Sequence, residues 1–310
     1  MPVSSKIILY ASYQTGDTLP GYVQFALRHL AETDFTVVLL TNSRPLSAET
    51  MKFLEDSGIH LYLTENHGFD FGMWRRFLKD LANGRGNFVP LNGITRLLLV
   101  NDSVVYFQNQ FAEFIRRAEA STADAVSLTQ NDEVRPHLQS FFLYIKQEAL
   151  GAFYLHLLET PEQETFYNVV HRLEIGLGRV FEEAEVQTAS LYQTHRRALF
   201  AYPELIAQGA GFIKRKLLQR RFDFKEKVHF IRHKNYGTLN ADYHKMVIDA
   251  GLAPDFKEEW LPTPIGGNMK KAADYLWEKP FEKIGWPLLR TAIKTKYRIL
   301  KKPLEGDEYK

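Results

Sequence analysis

The sequence predicts an α/β protein: a mostly parallel sheet flanked by helices, followed by a basic, mainly helical C-terminal extension. Three observations predict it. Through the first half, short β-branched or leucine-rich runs alternate with amphipathic stretches, the order that puts crossover helices between parallel strands. The apolar runs have strand lengths, and none approaches the roughly 18 to 20 residues needed to span a bilayer. Beyond about Gly211 the texture turns basic and aromatic, and Pro254, Pro262, Pro264, Gly266 and Gly267 break it into short pieces.

Taken in order, the run Ile7-Ile8-Leu9-Tyr10 predicts a strand over 6–12, and the amphipathic stretch after it a helix over 21–31. Val37 to Leu40 predict a strand over 36–41, followed by a helix over 48–57. A strand over 60–64 leads to a helix over 71–82, and Leu97 to Val100 mark a strand over 96–100 before a helix over 107–120. A strand over 125–129 and a helix over 146–159 complete the alternation. Phe166, Val169, Val170, Leu173, Leu177, Val180 and Phe181 recur at helical spacing and predict one further helix over 161–184.

Composition narrows the class. At 310 residues, 45% hydrophobic and 25% charged, the chain has the makeup of a globular protein with one large domain or two modest ones, and disorder or a collagen-like repeat is excluded. The division is expected at 1–211 and 212–310. With no cysteine there is no disulfide framework, thiolate zinc site or cysteine nucleophile. A lone Lys6 ahead of a short apolar run is too little for a signal peptide, so the chain reads as cytoplasmic. The net charge of +2 hides late basic clusters. Lys214, Arg215, Lys216, Arg220, Arg221, Lys225, Lys227, Arg232 and Lys234 face only Asp223 and Glu226.

In open α/β sheets ligands bind outside the carboxyl ends of the strands, so the residues that follow each strand carry the candidate chemistry. After the first strand come Ala11-Ser12-Tyr13. After the third, Asn66, Gly68, Asp70 and Gly72 sit with Phe69 and Phe71 ahead of a helix; the stretch suits a backbone approached by a flat, polar ligand, or a capping turn with Asp70 as N-cap. After the fourth, Asn101-Asp102-Ser103 offers a carboxylate able to hold a divalent cation against phosphate oxygens, or a turn in which Asp102 accepts backbone hydrogen bonds. His137 has no second metal ligand at helical spacing and is either a structural histidine or a substrate contact. In a regular helix Glu174 lies about 20° from Phe181 and about 40° from Val170, at the edge of the apolar stripe. It is there either a general base or a paired edge carboxylate.

Asn66-His67-Gly68-Phe69-Asp70-Phe71-Gly72-Met73-Trp74, Leu98-Leu99-Val100-Asn101-Asp102-Ser103, His137-Leu138-Gln139-Ser140-Phe141-Phe142 and Leu173-Glu174-Ile175-Gly176-Leu177 resemble, in that order, the rhamnan synthesis F family. The resemblance covers roughly residues 6 to 200. It implies a GT-A-like glycosyltransferase of cell-surface polysaccharide synthesis, with residues 1–211 as the nucleotide-sugar-binding catalytic domain. The donor it implies is dTDP-L-rhamnose, and the acceptor a growing glycan or lipid-linked oligosaccharide. Ala11 and Tyr13 would line the nucleotide pocket with Asn66, Gly68 and Asn101 beside them, and Asp70 would pair with the base. Asp102 would take the metal position, with Mg²⁺ or Mn²⁺, while His137 and Gln139 face the sugars and Glu174 serves as the base of an inverting transfer. Arg75, Arg215 and Lys216 are candidates for stabilising the diphosphate. This sequence has one carboxylate where the acidic motif usually has two. Two other classes compete: a non-catalytic scaffold of a polysaccharide assembly complex, and a sugar-phosphate nucleotidyltransferase, whose glycine-rich phosphate loop is absent here.

In the extension, Trp286, Leu289, Ile293, Tyr297 and Leu300 recur at three or four residues among Arg290, Lys294, Lys296, Arg298, Lys301 and Lys302. The pattern fits a basic amphipathic helix lying on an anionic membrane surface at the inner face of the plasma membrane, or an ordinary helix packed on the core. No nucleic-acid-binding motif accompanies the basic clusters.

Overall fold

The computed structural model describes residues 5–216 apart from 43, 44, 87, 133, 195–197 and 200. Except for the short stretch 132–136, the described residues belong to one compact unit. The candidate membrane helix near Trp286 lies outside the described residues. Among the described residues, no helix is long and apolar enough to cross a membrane.

The expected architecture is present. Strands β1 (Lys6–Ser12), β2 (Thr36–Asn42), β3 (His60–Thr64), β4 (Arg96–Asn101), β6 (Ala125–Ser127), β9 (Phe142–Lys146) and β10 (Thr188–Ser190) form a seven-stranded sheet in the order β10-β6-β9-β4-β1-β2-β3. β9 alone runs antiparallel to both its neighbours, β4 and β6. Two small antiparallel pairs stand apart from it: β5 (Val104–Tyr106) with β11 (Phe212–Lys214), and β7 (Gln130–Asn131) with β8 (His137–Leu138). The helices are α1 (Gly21–Ala31), α2 (Ala48–Asp56), α3 (Phe69–Ala82), α4 (Phe111–Ala120), α5 (Gln147–Glu159), α6 (Phe166–Asn168), α7 (Ile175–Glu183) and α8 (Tyr202–Ala207).

Two helical layers follow from strand alternation, which sends successive side chains to opposite faces. Ile7, Leu9 and Ala11 of β1, with Leu97 and Leu99 of β4, pack against Phe71, Met73, Trp74, Phe77 and Leu78 of α3 and Phe153 and Leu157 of α5. Helix α1 packs against β1, β2 and α4. Phe114 of α4 meets Phe142 of β9 edge to face, with ring centroids 5.7 Å apart. Apolar faces on both sides of the central strands explain their near-continuous hydrophobic runs.

Three expected elements differ. The helix predicted over 107–120 begins only at Phe111, because the residues after β5 bond the segment ahead of β11, the Phe107 amide to the Gly211 carbonyl at 2.9 Å and Gln110 Nε2 to the Gly209 carbonyl at 2.8 Å. The strand predicted over 125–129 ends at Ser127. The single helix predicted over 161–184 is α6, a wide π-helical turn at Val169–Glu174, and α7. Val169, Leu173, Leu177 and Phe181 are all buried at intervals of four, a spacing that drifts by about 40° per step in a regular α-helix. A turn that holds an extra residue rotates that stripe back toward the core. The widened turn is secured from α5, where His156 Nε2 bonds the Leu173 carbonyl at 3.1 Å. Gly176 admits that ring, since a Cβ there would stand 3.2 Å from His156 Cε1.

Gly72 fixes how α3 meets the loop before it. Its amide donates to the Gly68 carbonyl at 2.8 Å, and a Cβ at Gly72 would lie 1.9 Å from the His67 backbone oxygen. Backbone cannot give way as a flexible side chain can, so Gly72→Ala should destabilise the protein by about 1 to 3 kcal/mol in urea unfolding. Gly151→Ala in α5, where a Cβ meets nothing within 4 Å, should instead stabilise it, by up to about 1 kcal/mol.

Candidate functional site

Alternation divides the carboxyl edge of the sheet into two polar clusters, because Asn101 and Asp102 are consecutive and point to opposite faces. β1 and β4 pair in parallel, with Ala11 opposite Asn101, and the Asp102 amide donates to the Ala11 carbonyl at 3.2 Å. Ser12 and Asp102, the residues just beyond that register pair, therefore meet on one side. Asn101 meets α3 on the other.

On the α3 side, Asn101 Nδ2 donates to Asp70 Oδ2 at 2.5 Å, and Asn101 Oδ1 accepts from the Ser103 amide at 3.1 Å and its hydroxyl at 2.6 Å. Asp70 also accepts from the Phe71 amide at 3.1 Å. Asp70 lies within the first turn of α3 and is not its N-cap; Gly68 holds that position with φ +74°. Phe69 also has positive φ, 56°. A non-glycine residue in that region is strained, and here the strain turns the chain sharply enough to aim Asp70 at β4. Burial, with the charge of Glu174 next in weight, pushes Asp70 up to about 6 against the pull of its bonds to Asn101 and Phe71.

Glu174 stands at the joint between the π-helical turn and α7. Its Oε1 accepts from the Ser140 amide at 2.8 Å and from the Ser140 hydroxyl at 2.9 Å. Among the described residues, Oε2 receives no hydrogen bond. Lys214 completes this cluster from β11, its Nζ 3.9 Å from the centroid of the Phe141 ring. Burial lowers Lys214 to about 8, opposed by the charges of Glu174 and Asp70.

On the opposite side, Asp102 is buried and its Oδ2 accepts from Ser12 Oγ at 3.1 Å and Arg215 Nη1 at 3.3 Å. The same Nη1 donates to the Tyr22 hydroxyl of α1 at 2.5 Å. Burial raises the pKa of Asp102 while the charge of Arg215 opposes that rise. β11 reaches this place through its pairing with β5, Lys214 opposite Val104, extended by the Arg215 amide donating to the Ser103 carbonyl at 2.8 Å. The two neighbours part where the strand ends: Lys214 joins the Asp70–Glu174 cluster, and Arg215, just past β11, joins Asp102.

The remaining sequence candidates are distributed around these clusters. Ala11 is buried in the core cluster at the end of β1, and Tyr13 stands 47% exposed just beyond it. Asn66 is exposed in the loop before α3, and Gly68 is buried there. Gln139 Oε1 accepts from Thr129 Oγ1 at 2.7 Å, which ties Gln139 to the turn after β6. His137 is buried opposite Asn131 in the β7–β8 pair, and its charge lowers the pKa of His171, next in weight to burial. Arg75 does not join either cluster. Its guanidinium donates to the Thr160 carbonyl at 2.5 Å and the Leu158 carbonyl at 2.9 Å, capping the end of α5. Lys216 places its Nζ 4.3 Å over the exposed Phe166 ring.

Three participants escaped the sequence reading: Ser140 as the partner of Glu174, Lys214 among the acids, and Arg76. Arg76 bonds Thr64 Oγ1 at 2.7 Å and the His67 carbonyl at 2.8 Å and pairs with Glu162, which fixes the loop that carries Gly68. The basic cluster beginning at Lys214 was the signal for one of them, though only pairing with β5 says which cations are drawn in.

The donor set does not fit a resident Mg²⁺ or Mn²⁺. Such ions are held by several oxygen ligands. Asp102 is the lone carboxylate of its cluster, and a guanidinium already sits where the cation would bind. Among the described residues, no three His, Asp or Glu converge on a metal position.

No family model matches the chain, and no curated protein matches it. Among solved structures, a nucleotide-diphospho-sugar transferase, so far assigned only provisionally, from Desulfovibrio desulfuricans G20 is similar at 10% identity over 81% of this chain and 100% of its own, with a TM-score of 0.39. The mannosyltransferase PcManGT of Pyrobaculum calidifontis, in complex with GDP-Man and Mn²⁺, is 12% identical over 93% of this chain and 84% of its own, with a TM-score of 0.41. A cytidylyltransferase from Leptospira borgpetersenii is 13% identical over 62% and 77%, with a TM-score of 0.37. At such values the chemistry has to be read from this chain's own side chains.

A pH dependence follows from Asp70. Its folded pKa of about 6 lies above the ordinary aspartate value, so its contribution to stability is complete below about pH 4 and is lost as pH rises through about 6. Asp70→Asn removes that loss. Between pH 4 and pH 7 the unfolding free energy of the variant should gain on that of the parent by up to about 3 kcal/mol, measured by urea unfolding at both pH values.

Proposed function

We propose that this protein is a nucleotide-sugar glycosyltransferase that moves a deoxyhexose, L-rhamnose from dTDP-L-rhamnose, onto a cell-surface glycan or lipid-linked oligosaccharide with inversion. The observation that carries the reading is Glu174: one carboxylate oxygen is anchored by two bonds from Ser140, and the other takes none among the described residues, beside Lys214 and Asp70 at the carboxyl edge of the sheet. An anchored carboxylate with one open oxygen suits general-base work, since its orientation is set before the acceptor arrives.

In this reading Oε2 of Glu174 takes the proton of the acceptor hydroxyl as its oxygen forms a bond to the anomeric carbon. The bond from that carbon to the donor phosphate breaks on the opposite face, which inverts the configuration. The leaving nucleoside diphosphate carries the released charge, and Lys214 and Arg215 stabilise it. Ala11, Tyr13, Asn66 and Gly68 border the nucleotide, and Asp70 pairs with its base while Asn101 orients that carboxylate. His137 and Gln139 face the sugars. Apart from Lys214 and Arg215, the extension beyond 211 supplies the acceptor or membrane contact, at the cytoplasmic face of the membrane.

Glu174→Gln keeps shape and polarity but removes the proton acceptor. Transfer to an authentic acceptor should fall by about 10² to 10⁴, with donor affinity by calorimetry unchanged. Near-normal transfer would remove Glu174 as the base. Loss of both transfer and donor affinity would make it a structural carboxylate. Donor binding by the parent protein without transfer or hydrolysis would favour the scaffold reading.

A further inference from the structure

We propose that Arg215, positioned by Asp102, binds the donor diphosphate in place of a divalent cation, so that donor binding is independent of metal. The inference rests on the nucleotide-sugar reading of this site and names the group that meets the diphosphate. It starts from the partners of Asp102. A strand-end carboxylate that served as a metal ligand would keep its oxygens for the ion, yet Oδ2 of Asp102 accepts from Ser12 and from Arg215. A cation placed on that oxygen would face the guanidinium at close range, and like charges there repel.

Arg215 is held from three directions. Its amide donates to the Ser103 carbonyl at 2.8 Å, its Nη1 reaches Asp102 and Tyr22, and its guanidinium carbon lies 5.9 Å from the centroid of the Tyr22 ring. Asp102 and Tyr22 together use only Nη1. Among the described residues, Nε and Nη2 make no hydrogen bond, and the side chain keeps 26% of its surface exposed. A planar guanidinium with two donors open and its orientation fixed matches the forked geometry of phosphate oxygens. Lys214, the preceding residue, brings a second positive charge to the other face of the same edge. The two side chains offer the phosphate oxygens cationic donors from both clusters of the edge. Asp102 acts through Arg215, as a positioning residue: it neutralises the guanidinium in the free protein and fixes its direction.

The test uses the full chain and dTDP as probe, with UDP and GDP alongside. Calorimetry in EDTA, and again in excess Mg²⁺ or Mn²⁺, should give dissociation constants within about twofold of each other. This comparison needs no variant. Arg215→Gln should weaken binding in EDTA by about 10- to 100-fold, the loss expected for hydrogen bonds to a charged group, and Arg215→Lys should recover part of it. Asp102→Asn should weaken binding less than Arg215→Gln, and its affinity should likewise ignore divalent ions. Binding that appears only with a divalent ion, or a metal-dependent increment that Asp102→Asn abolishes, would overturn the inference and leave the nucleotide-sugar reading standing. Failure of all three nucleotides to bind under either condition would overturn that reading itself, and the inference with it.

Discussion

The parallel pairing of β1 with β4 is the constraint on which the rest of this site depends. It sets Ala11 opposite Asn101 and carries the ladder one step further through the Asp102 amide. Two adjacent strands ending at the same height leave their next residues side by side, which is why Ser12 and Asp102 meet. Because the side-chain period of a strand is two, a slip of one residue would send Asp102 to the α3 face and Asn101 to the α1 face, exchanging both clusters at once. The register is held by packing shape, since the same slip would exchange Leu97 and Leu99 with Leu98 and Val100 between two layers that are both apolar.

Charge balance at this edge is achieved by chain segments far apart in sequence. Asp70 comes from the start of α3, Glu174 from a widened helical turn, Lys214 from the end of a short strand that pairs with β5, and Arg215 from the residue just after it. Buried or partly buried charges are costly unless compensated, and leaving one unpaired costs more than the pair returns. The last residue of β11 and the residue after it answer that need with consecutive cations, one for each cluster. The approach of β11 is set by main-chain geometry: Gly211 donates to Gln110 Oε1 at 2.7 Å, and its carbonyl accepts from the Phe107 amide at 2.9 Å. A Cβ at Gly211 would stand 2.5 Å from Gln108 Cβ, so the chain turns into β11 where only glycine allows the approach.

The arginines of α3 illustrate how a site is supported without being part of it. Arg75 and Arg76 are neighbours on one helix, yet one caps α5 and the other holds the loop from Glu65 to Gly68. Together they fix α3 against the layers around it, and Asp70 inherits that rigidity. Preorganisation of this kind removes the ordering cost that binding or catalysis would otherwise meet.

The sequence by itself determined five of the seven strands of the sheet, β1, β2, β3, β4 and β6, and most of the helices, because periodicity is a local property; it did not mark β9 and β10 as strands. It also marked Asp70, Asn101 and Asp102, because polar residues that follow a strand stand out in an α/β chain, and Glu174, because it edges an apolar helical stripe. It did not yield the wide turn at Val169–Glu174: the apolar residues from Phe166 to Phe181 include three-residue steps that read as a regular helix, and the packing of His156 and Gly176 decides against it. Nor did it assign partners. Ser140 meets Glu174 across 34 residues and Arg215 meets Asp102 across 113. Charge is written in the residue type, whereas the partner that compensates it is chosen by strand pairing between distant segments, and only the tertiary structure decides that.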